Sequence, residues 1–284
     1  MTPADITLPV TLAVLGAGFL HALWNAMLKS AGGDAQLDMA LIVAGTCVVA
    51  AACIPLVPVP DRAAWPYMAA SAIVHFGYYV TLAGAYRRGD LSFAYPLMRG
   101  VAPLIVTLLG VLFLGERPGP STLTGIVLIS LGILVIAWCA GERHTAASAG
   151  WALSNAAIIA MYTLIDGAGA RASGTAAGYV TWLCFLEGIP YLGWVAAMRG
   201  RSSIDYLRPR WRRGLAGGAA SLAAYGIALW AMTRAPVASV AALRETSVLF
   251  ASALGTWMLR ERFGWQRGLG TVVILAGVIA LRMA

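Results

Sequence analysis

Charge is what this sequence has least of. Only 11% of its 284 residues are Asp, Glu, Lys or Arg, against about a quarter in soluble domains. Hydrophobic residues make up 60%, and the mean hydropathy is +0.78. A soluble globular enzyme is excluded on that balance. Cysteine is also scarce. Cys47, Cys53, Cys139 and Cys184 all lie inside apolar runs, without CxxC or His-rich spacing, so they read as small core residues and not as metal ligands or disulfide partners. No cofactor is expected. Absence of a Walker A motif leaves no sign of ATP hydrolysis, and absence of HExxH and GxSxG leaves an intramembrane hydrolase without support. No nucleophile–base pair is visible, so the chain reads as a non-enzyme.

What is present is a series of apolar runs near 20 residues long. Each fits the roughly 20 residues that cross about 30 Å of hydrocarbon as a helix. Ten spans are expected, near 6–28, 38–58, 65–86, 92–115, 121–140, 150–170, 176–197, 214–233, 237–258 and 266–283. The breaks carry turn formers or charges, such as Pro58-Val59-Pro60-Asp61-Arg62 and Pro118-Gly119-Pro120. The one long connection, about 199–213, holds six arginines. The opening Met1-Thr2-Pro3-Ala4-Asp5 has no basic region, so the first apolar run reads as a retained helix and not a cleaved signal.

The chain repeats itself. At a constant offset of 145, Arg99 meets Arg244, Gly110 meets Gly255, Glu116 meets Glu261, Arg117 meets Arg262, Gly125 meets Gly270 and Gly132 meets Gly277. Each copy puts one arginine inside an apolar helix and an acidic-basic pair at the helix end. The expected division is 1–145 and 146–284, five spans each. Because five is odd, the second half enters the membrane opposite to the first. The fold class expected is therefore an all-α membrane protein: ten transmembrane helices in two inverted five-helix repeats around a central cavity.

The net charge of +8 sits in loops between spans, which points to membrane orientation and away from nucleic acid. Thirteen basic residues fall in loops after odd-numbered spans and five elsewhere. By the positive-inside rule, both termini then lie outside the cytoplasm.

A charge at the bilayer centre costs at least about 2.5–3.5 kcal/mol, so it is kept off lipid and lines a cavity or pairs inside the bundle. Arg99, Asp166, Glu187, Arg244 and Glu245 fall well inside spans, joined by His21 and His75. Helical spacing places His21, Trp24, Asn25 and Leu28 on one face, and His75, Tyr78, Tyr79, Leu82 and Tyr86 on another. Tyr95 and Arg99 are one turn apart. Asn155, Tyr162 and Asp166 form a stripe, as do Cys184, Glu187 and Tyr191. Tyr225 adds a further ring. Ser247 shares a face with Arg244, from which Glu245 points about 100° away. These stripes outline a central cavity. The arginines either tie helices together or hold the anionic group of a substrate. Asp166 is either a helix-end cap or a working carboxylate. Glu187 either pairs with an arginine or is a protonatable coupling site. The histidines are core residues or proton carriers, and the aromatics are packing or cavity wall. Trp65, Trp138, Trp151, Trp211 and Trp265 read as interfacial belt residues. Glu116-Arg117 and Glu261-Arg262 look like loop-ordering ion pairs, and Gly125, Gly132, Gly270 and Gly277 like points of close helix approach.

Two five-helix halves, each closing on a Leu-x-Glu-Arg end (Leu114-Gly115-Glu116-Arg117 and Leu259-Arg260-Glu261-Arg262) before a glycine-spaced last helix, resemble the EamA branch of the drug/metabolite transporter superfamily. His21-Ala22-Leu23-Trp24-Asn25, His75-Phe76-Gly77-Tyr78-Tyr79, Tyr95-Pro96-Leu97-Met98-Arg99-Gly100 and Ala242-Leu243-Arg244-Glu245-Thr246-Ser247 resemble a bacterial subgroup associated with phosphonate utilisation. The resemblance implies a basket of spans 1, 3, 4, 6, 8 and 9, with 5 and 10 at the periphery. It also implies alternating access, export of metabolites and cytoplasmic termini. The arginine count departs from the last point. Small four-helix relatives use a first-helix glutamate for proton exchange; His21 and Asn25 stand here instead, so that mechanism does not carry over.

The reading expected is a secondary transporter, an exporter, of a small polar metabolite such as an amino acid or aminophosphonate across the bacterial inner membrane. Arg99 and Arg244 would meet the anion. His21, Trp24, Asn25, His75, Tyr78, Tyr79, Tyr95, Tyr162, Tyr225 and Ser247 would line the cavity, and Glu187, Asp166 or Glu245 would take the proton or the amine. The partners expected are the small-molecule substrate, the lipid bilayer and a coupling proton, with the chain a monomer or homodimer. The alternatives are a multidrug or quaternary-amine exporter, which would rely on Asp166 or Glu187, and a non-transporting scaffold or lipid-handling protein.

Overall fold

The computed structural model describes residues 6–29, 33–88, 91–140, 146–259 and 265–283, and among them every regular element is helical. The helices are α1 (Leu8–Lys29), α2 (Ala35–Cys53), α3 (Trp65–Arg88), α4 (Leu91–Leu114), α5 (Pro120–Ala140), α6 (Ala146–Ala172), α7 (Ala176–Arg199), α8 (Arg201–Leu207), α9 (Trp211–Met232), α10 (Val237–Arg244), α11 (Ser247–Leu259) and α12 (Trp265–Arg282). Short 3-10 turns follow α2, precede α3 and join α8 to α9. Local sequence sets several boundaries. Asp34 caps α2 by accepting from the N–H groups of Gln36 (2.9 Å) and Leu37 (3.3 Å). Thr175 caps α7 by accepting from Gly178 N–H (3.1 Å). Both satisfy amide donors that a helix start leaves orphaned.

Seven of these stretches are long and apolar enough to cross a membrane: those of α1, α2, α4, α5, α6, α7 and α8–α9. The polar stripe of α3, with His75 and its tyrosines, lowers its hydropathy. The apolar stretch of α12, Gly268–Arg282, is shorter.

Two expectations change. The ninth span, expected to run unbroken over 237–258, is two helices. Glu245 and Thr246 form a turn between α10 and α11. There the amides of Glu245 and Thr246 donate to the carbonyls of Ala242 and Leu243, both 3.1 Å, and the Thr246 hydroxyl also donates to Leu243 O at 2.7 Å. Ser and Thr side chains that bond backbone carbonyls compete with the α-helical ladder. The connection at 199–213 is helical as well, folded into α8 and the 3-10 turn before α9.

Packing follows small residues. α5 lies against α12, with Gly125 facing Gly277 and Gly132 facing Gly270. A Cβ on Gly132 would sit 2.8 Å from Gly270 O and 3.0 Å from Ile274 N. Backbone atoms cannot move aside as side-chain tips can. Gly132→Val is therefore expected to cost about 1–3 kcal/mol by overpacking, read as a lower melting temperature in detergent. Elsewhere α1 and α2 pack on α9, α3 and α4 on α6, and α2 on α7. Trp65, Trp211 and Trp265 are exposed at helix starts, as belt residues would be, while Trp151 is half-buried. Cys47 and Cys184 are buried free thiols and Cys53 is half-buried. Arg143 and Arg260-Glu261-Arg262 lie outside the described residues, as do the side chains of Leu28, Tyr86, Trp138 and Cys139.

Candidate functional site

One cavity of about 80 Å³ lies among α1, α2, α3, α6, α7, α9 and α10. A site that takes one water needs roughly 10–15 Å³ on such a measure, so several fit. Of the residues singled out from sequence, His21, Trp24, His75, Tyr78, Tyr79, Tyr162, Cys184, Glu187, Tyr225 and Arg244 line it. Asn25, Tyr95, Arg99, Asp166, Glu245 and Ser247 do not. Asn25 bonds back along its own helix, Nδ2 donating to His21 O at 2.8 Å. The spans expected to form the basket also change: α2 and α7 contribute to the wall, and α4 does not. Thr46 of α2 and Ser221 of α9 are lining residues the sequence left unmarked. Each is a lone small polar residue in an alanine-rich or valine-rich helix, with no periodic partner to flag it.

The basic end centres on the α10–α11 break. Arg99 comes from α4, between Pro96 and Pro103. Its guanidinium donates to Glu245 Oε1 at 3.0 Å, and both side chains are buried. It also contacts His21 Nε2 and lies over the Tyr95 ring, 5.4 Å from its centroid. Arg244 Nε is 3.8 Å from the same Glu245 oxygen. Glu245 Oε1 thus lies between the two arginines. The paired arginines are not equivalent. Arg99 is held by Glu245 and His21. Arg244 lines the cavity, and its Nε has no hydrogen-bond partner.

The acidic end is built by α3, α6, α7 and α9. Asp166 is fully buried inside α6, so it does not cap the helix end. It accepts from Tyr179 Oη at 2.9 Å and from Tyr225 Oη. Glu187 accepts from Tyr79 Oη at 3.4 Å, and its Oε2 lies 3.2 Å from His75 Nδ1. Glu187 therefore pairs with a histidine and not with an arginine. His75 Nδ1 also reaches Ser71 O at 3.1 Å and Ser71 Oγ at 3.0 Å. A carbonyl only accepts, which assigns the proton to Nδ1. Between the two ends stand aromatic rings: His75 is 4.2 Å from Tyr162, and Tyr162 meets Tyr225 edge to face at 6.2 Å, by centroids.

Beyond Asp166 a further buried carboxylate ties distant segments together. Glu116 is buried, and its carboxylate accepts the amides of Val237 (2.7 Å) and Ala238 (3.3 Å) at the start of α10. It also lies 3.6 Å from Arg171. Arg171 donates in turn to Met232 O (2.8 Å) and Ala235 O (3.0 Å). The expected Glu116-Arg117 pair is thus replaced by a clamp between distant segments. Adjacent side chains point apart, and Gly115, at φ +65°, turns Glu116 inward. Glu116→Gln keeps the shape but loses the charge, at an expected cost of about 1–3 kcal/mol, checked by thermal melting.

The arrangement offers donors and a carboxylate in one wall. Trp24 Nε1 and Arg244 Nε are buried without a hydrogen bond, and both residues line the cavity with Glu187. Buried donors are seldom left so. Among the described residues no group of His, Cys, Asp and Glu is arranged to hold a metal ion.

Two segments, residues 8–138 and 147–283, match the sequence model of the EamA-like transporter family. A solved structure titled only "Crystal structure of protein" aligns with a TM-score of 0.71 over 96% of this chain and 95% of its own, at 15% identity. At that identity the likeness concerns the fold alone. No curated protein matches the sequence.

Proposed function

Since this chain belongs to the EamA-like transporter family, and is by that membership a multi-pass membrane transporter of the drug/metabolite type, we propose that its substrate is a small zwitterion such as an amino acid or aminophosphonate. One observation carries this reading: the cavity wall holds the guanidinium of Arg244 and the carboxylate of Glu187 together. A substrate with an anionic and an ammonium group would satisfy both. Guanidinium suits a carboxylate or phosphonate, and Glu187, with Asp166 behind it, suits the amine. The rings of Tyr78, Tyr162 and Tyr225 cover the short carbon skeleton.

Transport is by alternating access between two halves, 1–145 and 146–284, in ten spans, with α10 and α11 together as the ninth. Contacts across the α5–α12 seam support an inverted repeat. Gly125 faces Gly277 and Gly132 faces Gly270, and a shift of 145 along the sequence exchanges one contact for the other. Such self-exchange is what a two-fold relation between halves produces. The Glu116–Arg171 clamp ties the end of α6 to the start of α10 in this conformation. The direction is export from the cytoplasm across the bacterial inner membrane, with Glu187 or Asp166 exchanging a proton for the amine.

A thermal-shift screen of the detergent-purified protein tests the substrate class. A ligand at 100 times its Kd adds about 2.7 kcal/mol if it binds the folded state alone. Stabilisation by zwitterions is expected. Stabilisation confined to quaternary amines would replace this reading with an organic-cation exporter, which the two carboxylates and the aromatic wall would then serve.

A further inference from the structure

We propose that Glu245 is a resident counter-ion, occupying between Arg99 and Arg244 the place that the anionic group of the substrate takes when the cavity loads. The inference rests on the zwitterion reading and deepens it by naming what the anion competes with. Glu245 Oε1 lies 3.0 Å from Arg99 and 3.8 Å from Arg244 Nε, so one oxygen serves two guanidinium groups. The second contact is long, and Arg244 Nε makes no hydrogen bond. Glu245 Oε2 is also without a partner in a side chain only 1% exposed. A carboxylate placed for packing alone would have both oxygens met.

The charges fit an exchange. Two arginines and one glutamate leave a surplus of one positive charge at this end, with His21, Tyr78, Tyr95, Tyr162 and Tyr225 as the other titratable groups facing it. A substrate anion reaching Arg244 from the cavity neutralises that surplus and takes over the weaker of the two contacts, leaving Glu245 on Arg99. The device sits at the turn between α10 and α11. It also discriminates among substrates. A solute without an anionic group has no means of relieving Glu245, so neutral and cationic solutes gain nothing from the two arginines.

The test is anion affinity in purified protein, measured by thermal shift or Trp fluorescence with glycine and inorganic phosphate as probes. Glu245→Gln removes the competitor and is expected to tighten phosphate binding at least about tenfold, equivalent to about 1.4 kcal/mol. Because this variant leaves two buried guanidinium groups facing each other, Arg99→Gln/Glu245→Gln serves beside it. That pair keeps Arg244 alone, without a rival carboxylate, and is also expected to bind phosphate more tightly than wild type. Unchanged or weaker phosphate binding in the double variant overturns the inference and makes Glu245 a structural partner. The reading of function fails separately: wild-type protein that ignores glycine and every other zwitterion, beside variants that tighten on phosphate, would remove the substrate class and leave the counter-ion standing.

Discussion

Arg244→Gln is expected to fold, insert and lose transport. Arg244 is not what holds Glu245 in place. Its Nε makes no hydrogen bond, and its contact with Glu245 is 3.8 Å. Removing it leaves Glu245 on Arg99 at 3.0 Å, so no buried carboxylate is stranded. The substrate anion, in contrast, loses its charged partner in the cavity wall. Truncating one member of a buried, hydrogen-bonded charge pair costs about 2–5 kcal/mol of binding, or between tens-fold and thousands-fold in affinity. Exchange of labelled glycine in proteoliposomes reads the loss, and melting of the same preparation reads the fold. Arg244→Lys keeps the charge without the planar fork and should fall between the two. An Arg244→Gln protein that melts like wild type and still exchanges at the wild-type rate would contradict the assignment.

Arg99→Gln is expected to do the opposite, damaging stability first. Arg99 donates to Glu245 and contacts His21 in a side-chain environment only 4% exposed. Its loss leaves Glu245 with the long contact alone. Breaking a buried pair by removing one partner costs about 3–5 kcal/mol, whereas neutralising both is often close to harmless. The double variant Arg99→Gln/Glu245→Gln should therefore melt near the wild type and well above Arg99→Gln. Equal melting temperatures for the single and double variants would show that the pair does not hold α4 to the α10–α11 break. The two repeat-equivalent arginines then have separate duties: one positions, the other meets the ligand.

That separation could not be read from the sequence, which presents Arg99 and Arg244 as equals at an offset of 145. What periodicity does reveal is faces. His21 with Trp24, and His75 with Tyr78 and Tyr79, share helical stripes, and all five reach the cavity. Periodicity cannot reveal a break without glycine or proline. Leu243-Arg244-Glu245-Thr246-Ser247 contains neither, and only the hydroxyl side chains of Thr246 and Ser247 hint that the ladder yields there. Partners distant along the chain are equally hidden. Glu116 stands beside Arg117 in sequence, yet neighbours one residue apart on a helix do not face each other, and its partners prove to be Arg171 and the start of α10. The contribution of α2 is hidden for a related reason. Thr46 sits among Val43, Ala44, Gly45 and Cys47, where one hydroxyl leaves no stripe, and its Oγ donates to Ile42 O at 3.0 Å.

The central claim is that one cavity holds opposite charges for a zwitterion. Counterflow in proteoliposomes tests it most directly: vesicles loaded with unlabelled glycine or 2-aminoethylphosphonate, diluted into a trace of the labelled compound, with a labelled quaternary amine run in parallel. Accumulation of the zwitterion by wild-type protein, abolished in Arg244→Gln and in Glu187→Gln, is the result the account predicts. Accumulation of the quaternary amine alone, lost in Glu187→Gln but intact in Arg244→Gln, would contradict it.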